Sequence, residues 1–182
     1  MRVERTFAFV DLSGFTRFTD AQGDEEAVLV LTAFRAAVRE VASDHGVRVA
    51  KWLGDGAMFV ATETAPVIET VLELQRRFDG AGVSLPLRAG IARGEAILFE
   101  GDDYIGSPVN LAARLCDEAG PFEVLAGADV GDSVPDDVVA TPVGARVITG
   151  FGQPVELLSI SPRSAFAAEA LPSDAEALPP PV

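Results

Sequence analysis

Apolar and polar positions divide the chain into short strand-like runs and longer stretches with helical spacing. Thr6 to Val10, with its apolar run from Phe7, predicts a buried strand, broken by Asp11-Leu12-Ser13-Gly14. Phe15 to Phe18 reads as a short helical turn. Val30, Phe34, Ala37 and Val41 fall at offsets 0, 4, 7 and 11, one face of a helix from Asp24 to about Asp44. Asp24 is its predicted cap, and Asp24, Glu25 and Glu26 suit the positive end of the helix dipole. Gly46 ends it. Val47 to Ala61 holds two apolar arms around Gly54-Asp55-Gly56, a strong hairpin signal. Thr64 is the predicted cap of a second helix with Pro66 in its first turn. Val67, Val71, Leu74 and Phe78 repeat the 0, 4, 7, 11 spacing, and Gly80-Ala81-Gly82 closes the helix.

Leu85 to Ala92 predicts a strand, Arg93-Gly94 a turn, and Glu95 to Phe99 its hairpin partner. Gly101 to Gly106 reads as a loop. Ser107 is the predicted cap of a third helix with Pro108 at its first position, and Gly120-Pro121 ends it. On that helix Asn110 and Arg114 are four apart and share a face, while Val109, Ala112, Ala113 and Cys116 supply the packed side. Phe122 to Ala126 and Val138 to Thr141 read as strands around a short helix, and Ala145 to Thr149 with Val155 to Ile160 as a closing hairpin. The order β-α-β-β-α-β-β-α predicts an α/β (α+β) sandwich on one mixed or antiparallel sheet. From Ser164 the chain is Ala, Pro and acidic residues, so the expected division is a single domain over residues 1–162 and a disordered tail over residues 163–182.

Composition narrows the function. Of 182 residues, 48% are apolar and 23% charged, enough to bury a core. The net charge of −14 disfavours nucleic acid and anionic lipid as partners, because both require clustered Lys and Arg. An anionic substrate would need a metal or a local arginine cluster. Cys116 is the single cysteine, so no intrachain disulfide can form, which suits a reducing compartment. The run Phe7 to Val10 is too short for a signal peptide and no apolar span is long enough to cross a bilayer, so a cytoplasmic protein without membrane contact is expected.

The polar residues that local structure does not demand are Asp11, Lys51, Asp55, Arg88, Asp103, Asn110 and Arg114. Asp11 ends a core strand, where a carboxylate needs a partner, a metal or a capping role. Asp55 sits at a hairpin tip, either as a solvated turn residue or as a ligand. Lys51, four residues earlier, is the sole lysine. Two carboxylates at a strand end and a turn could take magnesium through hard oxygen ligands, and arginines nearby suit phosphate. Together they suggest a metal-dependent phosphoryl-transfer site. His45, Cys116, Trp52 and Phe59 read as structural, and Arg17 and Arg35 as residues of solvated helix faces.

Four segments carry a resemblance to a known family. Phe9-Val10-Asp11-Leu12-Ser13-Gly14-Phe15-Thr16, Lys51-Trp52-Leu53-Gly54-Asp55, Leu87-Arg88-Ala89-Gly90-Ile91-Ala92-Arg93-Gly94 and the block Asp103 to Leu115 occur in this order. The sequence from about Thr6 to Ile160 resembles the class III nucleotide cyclase catalytic domain, the adenylate and guanylate cyclase family. The resemblance implies a ferredoxin-like βαββαβ core with extra C-terminal strands and helix. It implies a two-fold homodimer with two shared active sites, where the ribose 3′-oxygen attacks the α-phosphate and pyrophosphate leaves. By the same resemblance Asp11, the Leu12 backbone carbonyl and Asp55 would hold two Mg²⁺ or Mn²⁺ ions. Asn110 would orient the ribose, Arg114 would neutralise the α-phosphate, and Arg88 would bind phosphate. Lys51 and Asp103 would read the base, with Asp103 selected over Asp102 by counting back from Asn110. A cation and a carboxylate complement adenine's N1 acceptor and N6 donor, so ATP is the expected substrate and cyclic AMP the product.

Two departures stand out. Thr149 occupies the position where the family often has a phosphate-contacting lysine, with Arg146 or Arg93 as possible substitutes. The segment Glu95 to Asp103 is short for the family's dimerisation arm. The competing expectations are a weakly active or inactive cyclase-like module that binds nucleotide and dimerises, and a different nucleotidyl transferase on a palm-like fold. The second would not require the Asp103 to Leu115 block.

Overall fold

A computed structural model describes residues 1–79 and 85–163. The chain runs β1 (Arg2–Leu12), α1 (Phe15–Gln22), α2 (Asp24–Asp44), β2 (Arg48–Leu53), β3 (Gly56–Ala61), α3 (Ala65–Asp79), β4 (Leu87–Phe99), β5 (Asp103–Ile105) and α4 (Ser107–Glu118). It continues through β6 (Val124–Gly127), a 3-10 turn (Ala128–Ser133), β7 (Val138–Arg146) and β8 (Val155–Pro162). The strands form one eight-stranded sheet in the order β2-β3-β1-β4-β6-β8-β7, with β5 paired to β4. The β1-α2-β2-β3-α3-β4 segment is the expected βαββαβ core, all antiparallel, and β4–β6 supplies the parallel pair that makes the sheet mixed.

Period-two alternation along β1 decides which helices lie where. Ala8, Val10 and Leu12 join Ala57, Phe59, Ala89 and Ile91 beneath Phe34, Val38 and Val41 of α2 and Val67, Val71 and Leu74 of α3. Phe7 points to the opposite face, with Met58, Val60, Ala92 and Ala96, and there Ala112 of α4 covers them. A single methyl-sized helix residue suffices because α4 lies on the sheet almost backbone to backbone. The contact falls at Gly90, where an added Cβ would run into the Ala112 carbonyl and the Cys116 amide. Cys116 itself is buried, and burial pushes its thiol up to about 12, so it is a packing residue without thiolate chemistry.

Several local expectations give way to tertiary structure. There is no turn at Arg93-Gly94: β4 is one 13-residue strand. It pairs with β1 from Arg2↔Ile97 to Leu12↔Leu87, and that continuous ladder outweighs a local glycine turn signal. The hairpin instead turns at Glu100-Gly101, both at positive φ, and returns as β5, within the stretch read as a loop. Neither Asp24 nor Ser107 is a cap; each is the first helical residue after Gly23 or Gly106, and neither helix has a side-chain cap bond. Thr64 does precede α3, but its hydroxyl bonds the buried Thr6 hydroxyl at 2.8 Å and accepts from Arg93 at 3.1 Å. The strand expected to end at Thr141 runs on to Arg146, so the closing hairpin is β7–β8 and Val147 to Thr149 lie in its connection.

Arg35 is half-buried rather than on a fully solvated face. It stacks on Trp52 at 5.2 Å from the ring centre, with Arg39 on the same ring at the same distance. His45 sits at the C-terminal cap of α2, and its ring contacts Glu73 at 2.9 Å and Glu69 at 3.4 Å on α3. The expected Gly80-Ala81-Gly82 terminator and the expected tail from Ser164 lie outside the described residues. No helix among the described residues is long and apolar enough to cross a membrane.

The α4 contact yields the first prediction. Gly90→Ala forces α4 off β4, and overpacking of this kind costs about 1–3 kcal/mol or more. For a domain of this size that lowers Tm by several degrees (about 2–4 °C per kcal/mol). Thermal unfolding of the variant beside Gly127→Ala, where an added Cβ would meet only the Leu111 methyl at 3.3 Å, checks it. Equal Tm values for the two variants would refute the backbone contact.

Candidate functional site

The register of three adjacent strands builds the first half of the site. Asp11, near the end of β1, pairs with Gly56 on β3 and with Arg88 on β4, so the three form one row across the sheet. Asp55 lies in the tight turn before Gly56, which Gly54 enables at φ 64°. The Leu12 amide donates to the Asp55 carbonyl at 3.3 Å, tying that turn to β1. An added Cβ at Gly56 would stand 2.6 Å from the Val10 carbonyl and 3.4 Å from Asp11 Oδ1. Glycine is therefore what lets the turn carry Asp55 in beside Asp11.

The two half-buried carboxylates oppose each other electrostatically. The Asp55 carboxyl is raised above the ordinary value of 3.8, first by burial and then by the charge of Asp11. Arg88 offsets this. Its Nε and Nη2 both donate to Asp11 Oδ2, at 3.0 and 2.7 Å, and its Nη1 donates to the Asp117 carbonyl at 3.0 Å. Burial works against the Arg88 charge, but the hydrogen bond and charge of Asp11 hold its pKa above the usual arginine value.

The second half lies on β2 and β5. Lys51 Nζ meets Asp103 Oδ1 at 2.7 Å, and the same oxygen accepts from the Tyr104 amide at 2.7 Å. Those two donors hold the Asp103 carboxyl below its ordinary range, the Lys51 bond contributing most. The short β5 pairs with β4, and the Tyr104 ring packs edge-on against Phe7 at 5.3 Å between centres. Asp102 lies in the exposed turn before it.

Asn110 and Arg114 sit on the exposed side of α4, as their four-residue spacing predicts. Arg114 makes a loose 3.5 Å contact with Asp117, and among the described residues no hydrogen bond or ion pair links either side chain to Asp11, Asp55, Lys51 or Asp103. Leu12 is only 1% exposed, so any ligand role falls on its main chain. Arg93 does not reach this site. It pairs in register with Thr6, about 17 Å along β1 from Asp11 at 3.4 Å per residue. There it binds Thr64, the Thr62 carbonyl and Glu4. Arg146 ends β7, exposed, next to the connection that holds Thr149.

Sequence reasoning missed Asp117, because a main-chain carbonyl leaves no sequence signal. It also missed Gly56 as the residue that admits Asp55, although a glycine after a turn aspartate is visible in the sequence. A cavity of about 800 Å³ holds none of the candidate residues; it is lined by His45, Glu69, Glu73, Arg76 and Phe122 among others. The Asp11–Asp55 pair fits a divalent cation by chemistry. Two close oxygen donors, one with its charge disfavoured, are relieved by a cation. No group of three or more His, Cys, Asp or Glu able to hold a metal converges among the described residues. That donor set suits Mg²⁺ or Mn²⁺, which keep water and substrate phosphates as their other ligands.

No family model matches the chain. An uncharacterised protein of Mycobacterium tuberculosis is 37% identical over 147 residues, covering 81% of this chain and 38% of that protein. A pH-sensitive adenylate cyclase of the same species is 35% identical over 131 residues, 72% of this chain and 32% of the relative. The chain thus spans less than two fifths of the length of the curated relatives it matches. Among solved structures, the guanylate cyclase domain of a Catenaria anguillulae protein, in complex with GTP, superposes with a TM-score of 0.80. It is 15% identical, with 90% of this chain and 99% of that one covered, so it shares the fold.

The opposed carboxylates predict a stability effect with a definite sign. An acid whose folded pKa is raised loses stability as pH rises through the interval between its unfolded and folded values. Asp55→Asn therefore raises the metal-free Tm at neutral pH, by about 1–3 °C for a change of under 1 kcal/mol. Calorimetry in the presence of a chelator at pH 7 and pH 4 checks it. The gain should shrink at pH 4, and a lower Tm for the variant at pH 7 would contradict the assignment.

Proposed function

This chain is a structural homologue of class III nucleotide cyclase catalytic domains, and on that premise we propose that it is an adenylate cyclase, forming 3′,5′-cyclic AMP and pyrophosphate from ATP. The observation that carries the choice of base is the Lys51–Asp103 pair, 2.7 Å apart and still partly open to solvent at 45% and 37% exposure. A cationic donor and a carboxylate acceptor match adenine's N1 and N6. Guanine presents a donor and an acceptor in the reverse order. Each unmade buried hydrogen bond costs about 1–3 kcal/mol, so two discriminate by on the order of 100-fold.

Asp11 and Asp55 would hold the metal, with the Leu12 carbonyl as a further oxygen. Mg²⁺ or Mn²⁺ bound there, two per site, would acidify the ribose 3′-hydroxyl and neutralise the triphosphate. The O3′–Pα bond forms as the bond from Pα to the pyrophosphate oxygen breaks, and the hydroxyl proton is lost. Asn110 orients the ribose for in-line attack. Arg114 meets the charge that develops on the α-phosphate, where removing a donor costs about 10²–10³ in kcat. Arg88 reaches phosphate only by releasing Asp11.

The exposed placement of Asn110 and Arg114 supports a site completed by a second copy of the chain. In this reading one protomer offers Asp11 and Asp55 while its partner offers Lys51, Asp103, Asn110 and Arg114, and two-fold symmetry makes two equivalent sites. The exposed Ile97, Phe99 and Ile105 of the β4–β5 hairpin support an apolar contact for that copy, despite the short hairpin.

Two measurements test the proposal. Purified protein incubated with ATP or GTP and Mg²⁺ or Mn²⁺ should yield cyclic AMP, with kcat/KM for ATP about 100-fold above GTP and no product from Asp11→Ala. Absence of cyclic product from both nucleotides, with Asp11→Ala identical to wild type, would sink the reading. Mixing inactive Asp55→Ala and Arg114→Ala proteins should restore activity, since a mixed dimer keeps one intact site. Mixed dimers no more active than either parent would refute the shared site.

A further inference from the structure

Arg88 is committed to Asp11 in a way that a passive ion pair would not require. Both of its contacts go to one oxygen, Oδ2. Oδ1 is left on the Gly56 side, toward the turn that carries Asp55. The third nitrogen, Nη1, is anchored to the Asp117 main chain at the end of α4. A guanidinium held from behind stays in place when its front contacts are released. It also stands where its positive charge competes directly with any cation that Asp11 and Asp55 would share.

We propose that Arg88 is an exchangeable counter-ion for Asp11, holding that carboxylate while metal is absent and giving it up when metal and triphosphate arrive together. The proposal rests on the metal reading of Asp11 and Asp55. Metal alone, held through Oδ1 and Asp55, stands against the Arg88 charge and can gain Oδ2 only by leaving that charge unpaired, so metal alone binds weakly. The triphosphate gives the freed guanidinium a new anionic partner. Metal and nucleotide therefore bind cooperatively, and by linkage each raises the affinity of the other by the same factor. Arg88 is thus a positioning residue that couples two ligands, in addition to any contact with phosphate.

Mn²⁺ titration of the metal-free protein, followed by calorimetry or by the electron spin resonance of free Mn²⁺, tests this without turnover. Arg88→Gln should bind Mn²⁺ alone about 3- to 10-fold more tightly than wild type, within the usual range of coupling between sites. The gain in Mn²⁺ affinity caused by a non-hydrolysable ATP analogue should shrink by a similar factor. Arg88→Lys keeps the charge without the paired contact, so affinity for Mn²⁺ alone should rise in the order wild type, Lys, Gln. A merely structural Arg88 would lower Tm and leave Mn²⁺ affinity equal or weaker, and that result, or any other order, overturns the proposal. Asp55→Asn separates the two readings. Weaker Mn²⁺ binding by Asp55→Asn with an unchanged Arg88→Gln refutes the counter-ion alone, whereas Asp55→Asn equal to wild type refutes the metal site and the counter-ion with it.

Discussion

The close contact of α4 with Gly90 fixes the geometry on which the site depends. Two layers that meet almost backbone to backbone cannot slide by a residue without a clash. Gly90 is two residues from Arg88 on β4, and its partners Ala112 and Cys116 flank Arg114 on α4. The same contact therefore sets where Arg114 and Asn110 stand and brings the Asp117 carbonyl to Arg88. Gly106 repeats the device at the start of α4, where an added Cβ would lie 3.1 Å from the Ala96 backbone. Small residues at these points seat α4 so that Asn110 and Arg114 stand on its exposed side while its end reaches Arg88 on the sheet.

The site is built from charges that the fold brings together against their preference. Asp11 and Asp55 repel, and a protein of net charge −14 offers no general positive field to ease them. Arg88 supplies local compensation, and Lys51 does the same for Asp103. Lys51, Arg88 and Arg114 each face a carboxylate of their own chain. On the proposed reading, ligand binding would be an exchange of partners, with metal and phosphate arriving together.

Long periodic segments were legible from sequence. The helices over Asp24–Asp44 and Ala65–Asp79 follow from apolar spacing, and the β2–β3 hairpin from two apolar arms around Asp55. Shorter signals failed where tertiary contacts were stronger. Gly94 turns nothing because β1 holds β4 straight along its whole length. Thr64 was better used by Thr6 and Arg93 than by its own helix. Arg35 found the Trp52 ring, a partner 17 residues away that helical position alone does not reveal. The site was legible as a set of residues that local structure left unexplained, and the family resemblance gave them roles. Their pairing was not legible, since Asp11 with Arg88 and Lys51 with Asp103 are joined by register and by the fold-back of β5.

The sequence by itself determined the long helices, the β2–β3 hairpin, the βαββαβ order and the unusual polar residues, because hydrophobic period and residue chemistry are local properties. Only the tertiary structure decided which of those residues meet. Strand register put Gly56, Asp11 and Arg88 in one row, and the Gly90 contact set α4 above them. Register and helix seating are fixed by the packing of segments distant in sequence, and no local pattern encodes that packing.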